Sequence, residues 1–358
     1  MEERLDALGM LDLMVRPGFC VKDNVIVKAN QAALSLMLTP GSTICDLLHT
    51  GKNEYAAFQD GCLYLTLQLG SECWGASVTH AGEYHVFLLE QESDQAELQA
   101  MALAARELRE PLTKVMTTAD QLFPMAALQD DPITREQVAR MNRGLLQMLR
   151  VIGNMSDAGR YCEGRAVCME TRDITMLMQE IFDHSRDLIS HAGMQLSFRN
   201  LDTPVDCLID SEKLERAVLN ILSNAIKFTP KGGTIDCSLT RRGNMLSLQV
   251  QDSGSGIPDA IRGQIHSRYQ RQPGIEEGRF GIGLGMVLIR AAATAHGGTV
   301  LIDHPEGSGT RITMTLAIRK AQSGSLRSHV LRVDYSGERD HGLVELSESL
   351  PPSLYEKN

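Results

Sequence analysis

Four short motifs in a fixed order restrict this chain more than anything else in it: NILSNAIKF from Asn220, DSGSGIP from Asp252, GIGLG from Gly281 and GSGT ending at Thr310. Asn220, Asn224 and Lys227 are spaced by four and three, so on a helix they project from one face. Two carboxamides and an ammonium suit a magnesium ion and its phosphates, because magnesium takes hard oxygen ligands and keeps several waters, while lysine adds a point charge. Taken alone, those three residues describe a solvated polar helix end equally well. Asp252 closes the strand-like run LSLQVQD, where a carboxylate can accept from an exocyclic amine while Gly254 and Gly256 let backbone approach a flat base. GIGLG, with Gly281, Gly283 and Gly285, precedes the helical run MVLIRAAATA and brings backbone N–H groups to where phosphate can meet them. Each glycine motif is weak alone, and the dinucleotide fingerprint is not matched, since GIGLG does not follow a strand in a βαβ unit. In this order, with 28 positions from Asn224 to Asp252 and 29 from Asp252 to Gly281, they are expected to form one nucleotide pocket, whose residue types suit ATP and Mg2+.

Upstream, Leu98, Met101, Ala105, Leu108, Leu112, Val115, Ala119 and Leu122 alternate steps of three and four, which is one helix with one narrow apolar seam. A loop containing DDP at Asp130 to Pro132 ends it, and Val138, Met141, Leu145, Met148, Ile152 and Met155 repeat the pattern. Two such helices pack as an antiparallel hairpin that buries little by itself, so two chains are expected to pair as a homodimer with a four-helix bundle. Pro111 falls inside the first helix, where it removes a hydrogen bond and is expected to kink the axis.

The remaining chain divides around these landmarks. Its 358 residues exceed what one core usually organises, so two or three domains are expected. Residues 1–92 read as strand-like runs with a helical NQAALSLML among them and a closing hairpin turning at AGE, a mixed α/β segment. Residues 94–160 hold the hairpin, 170–318 alternate helices and antiparallel strands as in a layered α/β sandwich, and 321–358 form a tail, read as a partly ordered extension or a partner-binding peptide. The fold class is thus multidomain α+β. A net charge of -10 and 4% aromatic residues argue against nucleic-acid binding. No run of 18 apolar residues and no signal-like N-terminus is present, so a cytoplasmic protein without a membrane span is expected. Eight cysteines show no CxxC pair and read as reduced thiols, mostly in cores.

The four motifs resemble the N, G1, G2 and final glycine boxes of the GHKL ATPase superfamily that joins gyrase, Hsp90, MutL and the histidine kinases, and the Asn-rich first box is similar to that of the histidine kinases. The resemblance implies Asn224 as magnesium ligand, Lys227 as a phosphate contact, Asp252 as adenine reader, and Gly281, Gly283 and Gly285 as the hinge under a lid at 262–280, with Asn220, Gly254, Gly256 and Thr310 completing the site. In the lid, RYQRQ is similar to the family's aromatic box, with His266 and Tyr269 where Phe is expected. Members that hydrolyse ATP with water carry a carboxylate at the position of Asn220, and an amide cannot deprotonate water. The hairpin resembles the family's dimerisation and phosphotransfer domain, in which RELREPL aligns with His-Glu-Leu-Arg-Thr-Pro-Leu. Arg106 stands at the acceptor histidine, and a guanidinium has no lone pair free to attack phosphorus. Glu107, which assists transfer in the family, is retained, and Glu110 replaces a residue that helps dephosphorylate the partner. No histidine occurs between His85 and His184. Residues 1–92 resemble a PAS sensor domain, with Asn30 where its first helix begins.

Three functions remain open on the residues. The first is a signal transduction protein of two-component type that binds MgATP without autophosphorylation, a pseudokinase, with a response regulator or other signalling protein as partner. The second is an active kinase that transfers the γ-phosphate to another histidine, a serine or a partner protein. The third is a non-enzymatic dimeric interaction module.

Overall fold

The computed structural model describes residues 9, 11, 12, 14–90, 92–123, 131–162, 168–256, 284–305, 309–320 and 339–356. Strands β1 (Gly18–Lys22) and β2 (Val25–Ala29) lead into short helices α1 (Gln31–Ser35), α2 (Ile44–Leu47) and α3 (Lys52–Ala56), and then to β3 (Cys62–Leu69), β4 (Glu72–Ala81) and β5 (Tyr84–Leu89). Asn30 caps α1: its side chain accepts from the N–H of Ala33 at 2.9 Å and of Gly18 at 3.1 Å, which ties the helix start to β1. Phe19, Ile26, Leu63, Leu65, Leu67 and Phe87 fill the core of this part.

Helices α4 (Glu92–Leu122) and α5 (Pro132–Cys162) follow. Helix α4 runs through Pro111 without interruption. The seam read from the sequence splits in two. Leu98, Ala105, Leu112 and Ala119, one per heptad, are buried together with Val138, Leu145 and Ile152, whereas Leu108, Val115, Leu122 and Met148 stay 51%, 55%, 66% and 48% exposed. One row closes the hairpin and the other is left uncovered. Among the described residues no helix is long and apolar enough to cross a membrane.

The C-terminal half contains β6 (Glu170–Asp173), α6 (Ile174–His191), β7 (Gln195–Arg199), β8 (Asp206–Ile209), α7 (Ser211–Phe228), β9 (Thr234–Arg242), β10 (Met245–Asp252), α8 (Gly285–Ala295), β11 (Val300–Asp303) and β12 (Arg311–Ala317). Asp173 caps α6 and Asp210 caps α7, each accepting from a backbone N–H of the first turn. Strand β10 alternates inward and outward over its whole length, so Leu246, Leu248 and Val250 enter the core while Asp252 arrives at its end.

The two halves share one sheet, in the order β2-β1-β5-β4-β3-β11-β12-β10-β9-β7. The join is β3 with β11, antiparallel, with Leu63 opposite Leu301. Arg290 of α8 reinforces it, lying 3.2 Å from Glu90 and 4.7 Å over the Tyr64 ring. A short helix α9 (His341–Glu345) and a 3-10 turn (Pro352–Tyr355) end the chain, packed on α5, α6 and α7. The tail described here is therefore part of the fold: Val344, Leu346, Leu350 and Tyr355 are buried in the main core.

Candidate nucleotide site

Asp252 is held by the neighbouring strand. Its N–H donates to the carbonyl of Thr310 at 2.9 Å, and its Oδ1 accepts from the N–H of Gly254 at 2.8 Å and of Thr310 at 3.1 Å. Two positions have no room for a side chain. A Cβ on Gly254 would overlap the carbonyl oxygen of Phe228, and one on Gly309, whose φ is +90°, would overlap that of Asp252. Gly256 is buried against His304. Burial pushes the Asp252 carboxyl above the usual carboxylate range, and the N–H groups of Gly254 and Thr310 and the nearby His304 offset only part of that. The result is a buried, oriented acceptor beside backbone that a flat ring can approach.

Asn220, Asn224 and Lys227 share one face of α7, in three different settings. Asn220 is buried, donates to the carbonyl of Arg216 at 2.8 Å and accepts from Arg150 of α5 at 3.2 Å. Asn224 is partly open, with its amide 4.0 Å from the sulfur of Met286 in α8. Lys227 is nearly buried and pairs with Glu348 of the tail. Burial lowers the Lys227 ammonium below the usual lysine range; Glu348 counteracts this and Arg150 adds to it. Burial alone would raise the Glu348 carboxyl, but attraction to Arg150 and Lys227 prevails and holds it below the usual range. Gly285 begins α8 with Leu284 as its cap residue. Gly281, Gly283 and the lid at 262–280 lie outside the described residues. Arg106 and Glu107 are exposed on α4.

Five charged residues absent from the sequence reading knit this face together. Arg150 lies 3.2 Å from Glu345 and 3.0 Å from Glu348, and Arg216 lies 2.9 Å from Glu345 while also contacting Asp157 and, at 2.7 Å, Asn154. Glu345 is 0% exposed. Its only sequence signal is the apolar spacing of Val344, Leu346 and Leu350 around it, which marks a helix-like stretch without naming its partner. A groove of about 1190 Å³ runs between the hairpin and the end of α7, lined by Leu108, Pro111 and Val115 on one side and by Lys227, Lys231 and Glu348 on the other.

The fold and this set of motifs define an ATPase-type domain of the kind shared by gyrase and Hsp90. The family model described as "Histidine kinase-, DNA gyrase B-, and HSP90-like ATPase" matches residues 209–320. The chain is 30% identical over 273 residues to the hybrid signal transduction histidine kinase D of Dictyostelium discoideum, covering 73% of this chain and 17% of that protein. It is also 30% identical over 243 residues to the signal transduction histidine-protein kinase/phosphatase MprB of Mycolicibacterium vanbaalenii, covering 65% of this chain and 49% of that one. A solved structure of full-length ShkA in complex with AMPPNP aligns with a TM-score of 0.49 and 21% identity, over 62% of this chain and 46% of that one. The chain spans about half or less of the length of these relatives. It is a member of the GHKL family, on its histidine kinase side.

Proposed function

We infer that this chain is a histidine-kinase-like signalling protein that binds MgATP between α7 and β10 and does not phosphorylate itself at residue 106. The observation that carries the reading is the Asp252 cradle, a buried carboxylate pinned through Oδ1 by two backbone N–H groups, with glycines where a Cβ would intrude. Its Oδ2 is the acceptor for adenine's exocyclic amine. Asn224 would hold the magnesium ion, Lys227 would meet phosphate oxygens, and Gly281, Gly283 and Gly285 would form the hinge of the lid. Asn220, an amide already committed to Arg150 and Arg216, supports slow hydrolysis, since it cannot take a proton from water. The Arg106 guanidinium offers no free lone pair as a nucleophile, so Glu107 beside it has nothing to activate.

The domains that go with this reading are a PAS-like sensor at 1–92, the hairpin at 94–160, the ATP-binding domain at 170–318 and the tail at 321–358. Short helices set between β2 and the closing antiparallel strands support the sensor assignment. The uncovered row of Leu108, Val115, Leu122 and Met148 supports a homodimer with a four-helix bundle. Nucleotide occupancy would set the shape of that dimer, read by a response regulator or another signalling protein. The shared sheet and Arg290 would link the sensor to α8, the helix that follows the lid.

Thermal unfolding with and without MgATP tests the pocket. At a hundredfold excess over Kd the natural chain is expected to gain roughly 5 °C, and Asp252→Asn to gain nothing. Equal protection of both proteins, or of neither, contradicts the reading. The groove beside Lys227 favours one second reading, because a peptide seated there could bring a different nucleophile to the γ-phosphate.

A further inference from the structure

The C-terminal segment 339–356 does more than complete the core. It reaches the nucleotide face of α7 and covers part of it. Ser347 and Glu348 are drawn down by Arg143, which donates to their carbonyls at 2.8 and 2.9 Å, while Gln147 donates to Ser347 at 3.1 Å. Ser349 donates to the carbonyl of Ser223 at 3.3 Å, one residue before Asn224. These contacts fix the backbone so that the Glu348 side chain lands on Lys227, the residue assigned to phosphate, with Arg150 on its other side. Three residues earlier, Glu345 bridges Arg150 of the hairpin and Arg216 of α7. A single short stretch thus places one carboxylate where an anion belongs and uses a second to fasten the hairpin to the ATPase-type domain.

The pairing of Glu348 with Lys227 is expensive as a purely structural device. Both groups are largely withdrawn from water, and a buried ion pair often returns less than its desolvation costs. The apolar anchors Val344, Leu346, Leu350 and Tyr355 already hold the segment, so its attachment does not require a carboxylate at 348. What the carboxylate does supply is an anion of the right charge for the lysine and the wrong charge for a phosphate beside it.

We propose that segment 339–356 is an autoinhibitory plug: Glu348 takes the place of a nucleotide phosphate on Lys227, so that MgATP and the docked tail exclude one another and nucleotide entry loosens the hairpin from α7. This rests on the nucleotide reading of the pocket and adds its regulation. Because coupling is reciprocal, removing the charge at 348 must tighten nucleotide binding, and nucleotide must weaken the hold on the tail.

The test uses the full chain and Mg-AMPPNP as the probe. Calorimetric titration of the natural protein and of Glu348→Gln is expected to give about 5- to 20-fold tighter binding in the variant, the lower part of the range for coupled sites. Hydrogen exchange of amides 341–350 in the natural protein is expected to speed up on saturation, a readout that does not depend on how the variant folds. Equal or weaker affinity in Glu348→Gln overturns the proposal, and so does a segment that becomes better protected when the nucleotide binds. If neither protein binds Mg-AMPPNP, the pocket reading itself has failed and the plug falls with it.

Discussion

The two ends of the candidate pocket are built by opposite means. At the Asp252 end, the strand pairing of β10 with the residue before β12, two backbone N–H groups and two close glycine approaches do all the work, within two short stretches of sequence. At the Lys227 end, charges converge from three separate places: Arg150 from the hairpin, Arg216 and Lys227 from α7, Glu345 and Glu348 from the tail. The first end is oriented by backbone groups of the chain itself. The second is already satisfied by the chain's own carboxylates, and a ligand has to displace one of them. On the proposed reading, recognition of a base and admission of its phosphates would thereby be separated.

The largest effect expected from disturbing this contrast is at the charged end. Glu345→Ala leaves two buried guanidinium groups without their shared partner, and a loss of about 3–5 kcal/mol in urea unfolding is expected. A change within about 1 kcal/mol would mean that the network is incidental to the fold. Gly309→Ala probes the other end. With φ at +90° and the Asp252 carbonyl in the way, about 1–3 kcal/mol of stability should be lost, together with Mg-AMPPNP affinity. Retained affinity would show that the Asp252 cradle is not the recognition element.

The difference between the ends also decides how much of them could be read from sequence. Asp252, Gly254 and the final glycine box carry their pattern in local spacing, so a carboxylate at the end of β10 beside closely approaching backbone is legible in the sequence. The spacing of Asn220, Asn224 and Lys227 sets them on one helical face, as α7 has them, but spacing says nothing of the neighbours, and those make Asn220 a buried junction residue and Lys227 an ion-pair partner. Arg150 and Glu345 are 195 positions apart, and no periodicity links them. The heptad seam was visible as one stripe, whereas its division into a closed and an open row depends on how the two helices rotate against each other. The pairing of β3 with β11 was invisible for the same reason: an edge strand records what it buries, and any suitable edge can satisfy its backbone.

A smaller effect concerns how firmly the tail is held. His184 of α6 is hydrogen-bonded to Asp340 at 2.9 Å, and that bond, with Asp340, Glu215 and Asp187 nearby, raises its pKa despite burial. An imidazole with a raised folded pKa stabilises fully below its unfolded value, about 6.5, and the contribution is lost as pH rises through the raised one. Hydrogen exchange of amides 341–346, corrected for intrinsic rates, should therefore quicken modestly from pH 6 to pH 9. His184→Gln should flatten that dependence. An unchanged slope in the variant would assign the effect to another group.

The measurement that reaches the central claim most directly is incubation of the natural chain and of Arg106→His with magnesium and ATP labelled in the γ-phosphate, followed by acid-labile and acid-stable counting. The account predicts acid-labile label on Arg106→His alone, from a competent pocket supplied with an acceptor. Label of either kind on the natural chain would contradict it and make the protein an active kinase with a different acceptor.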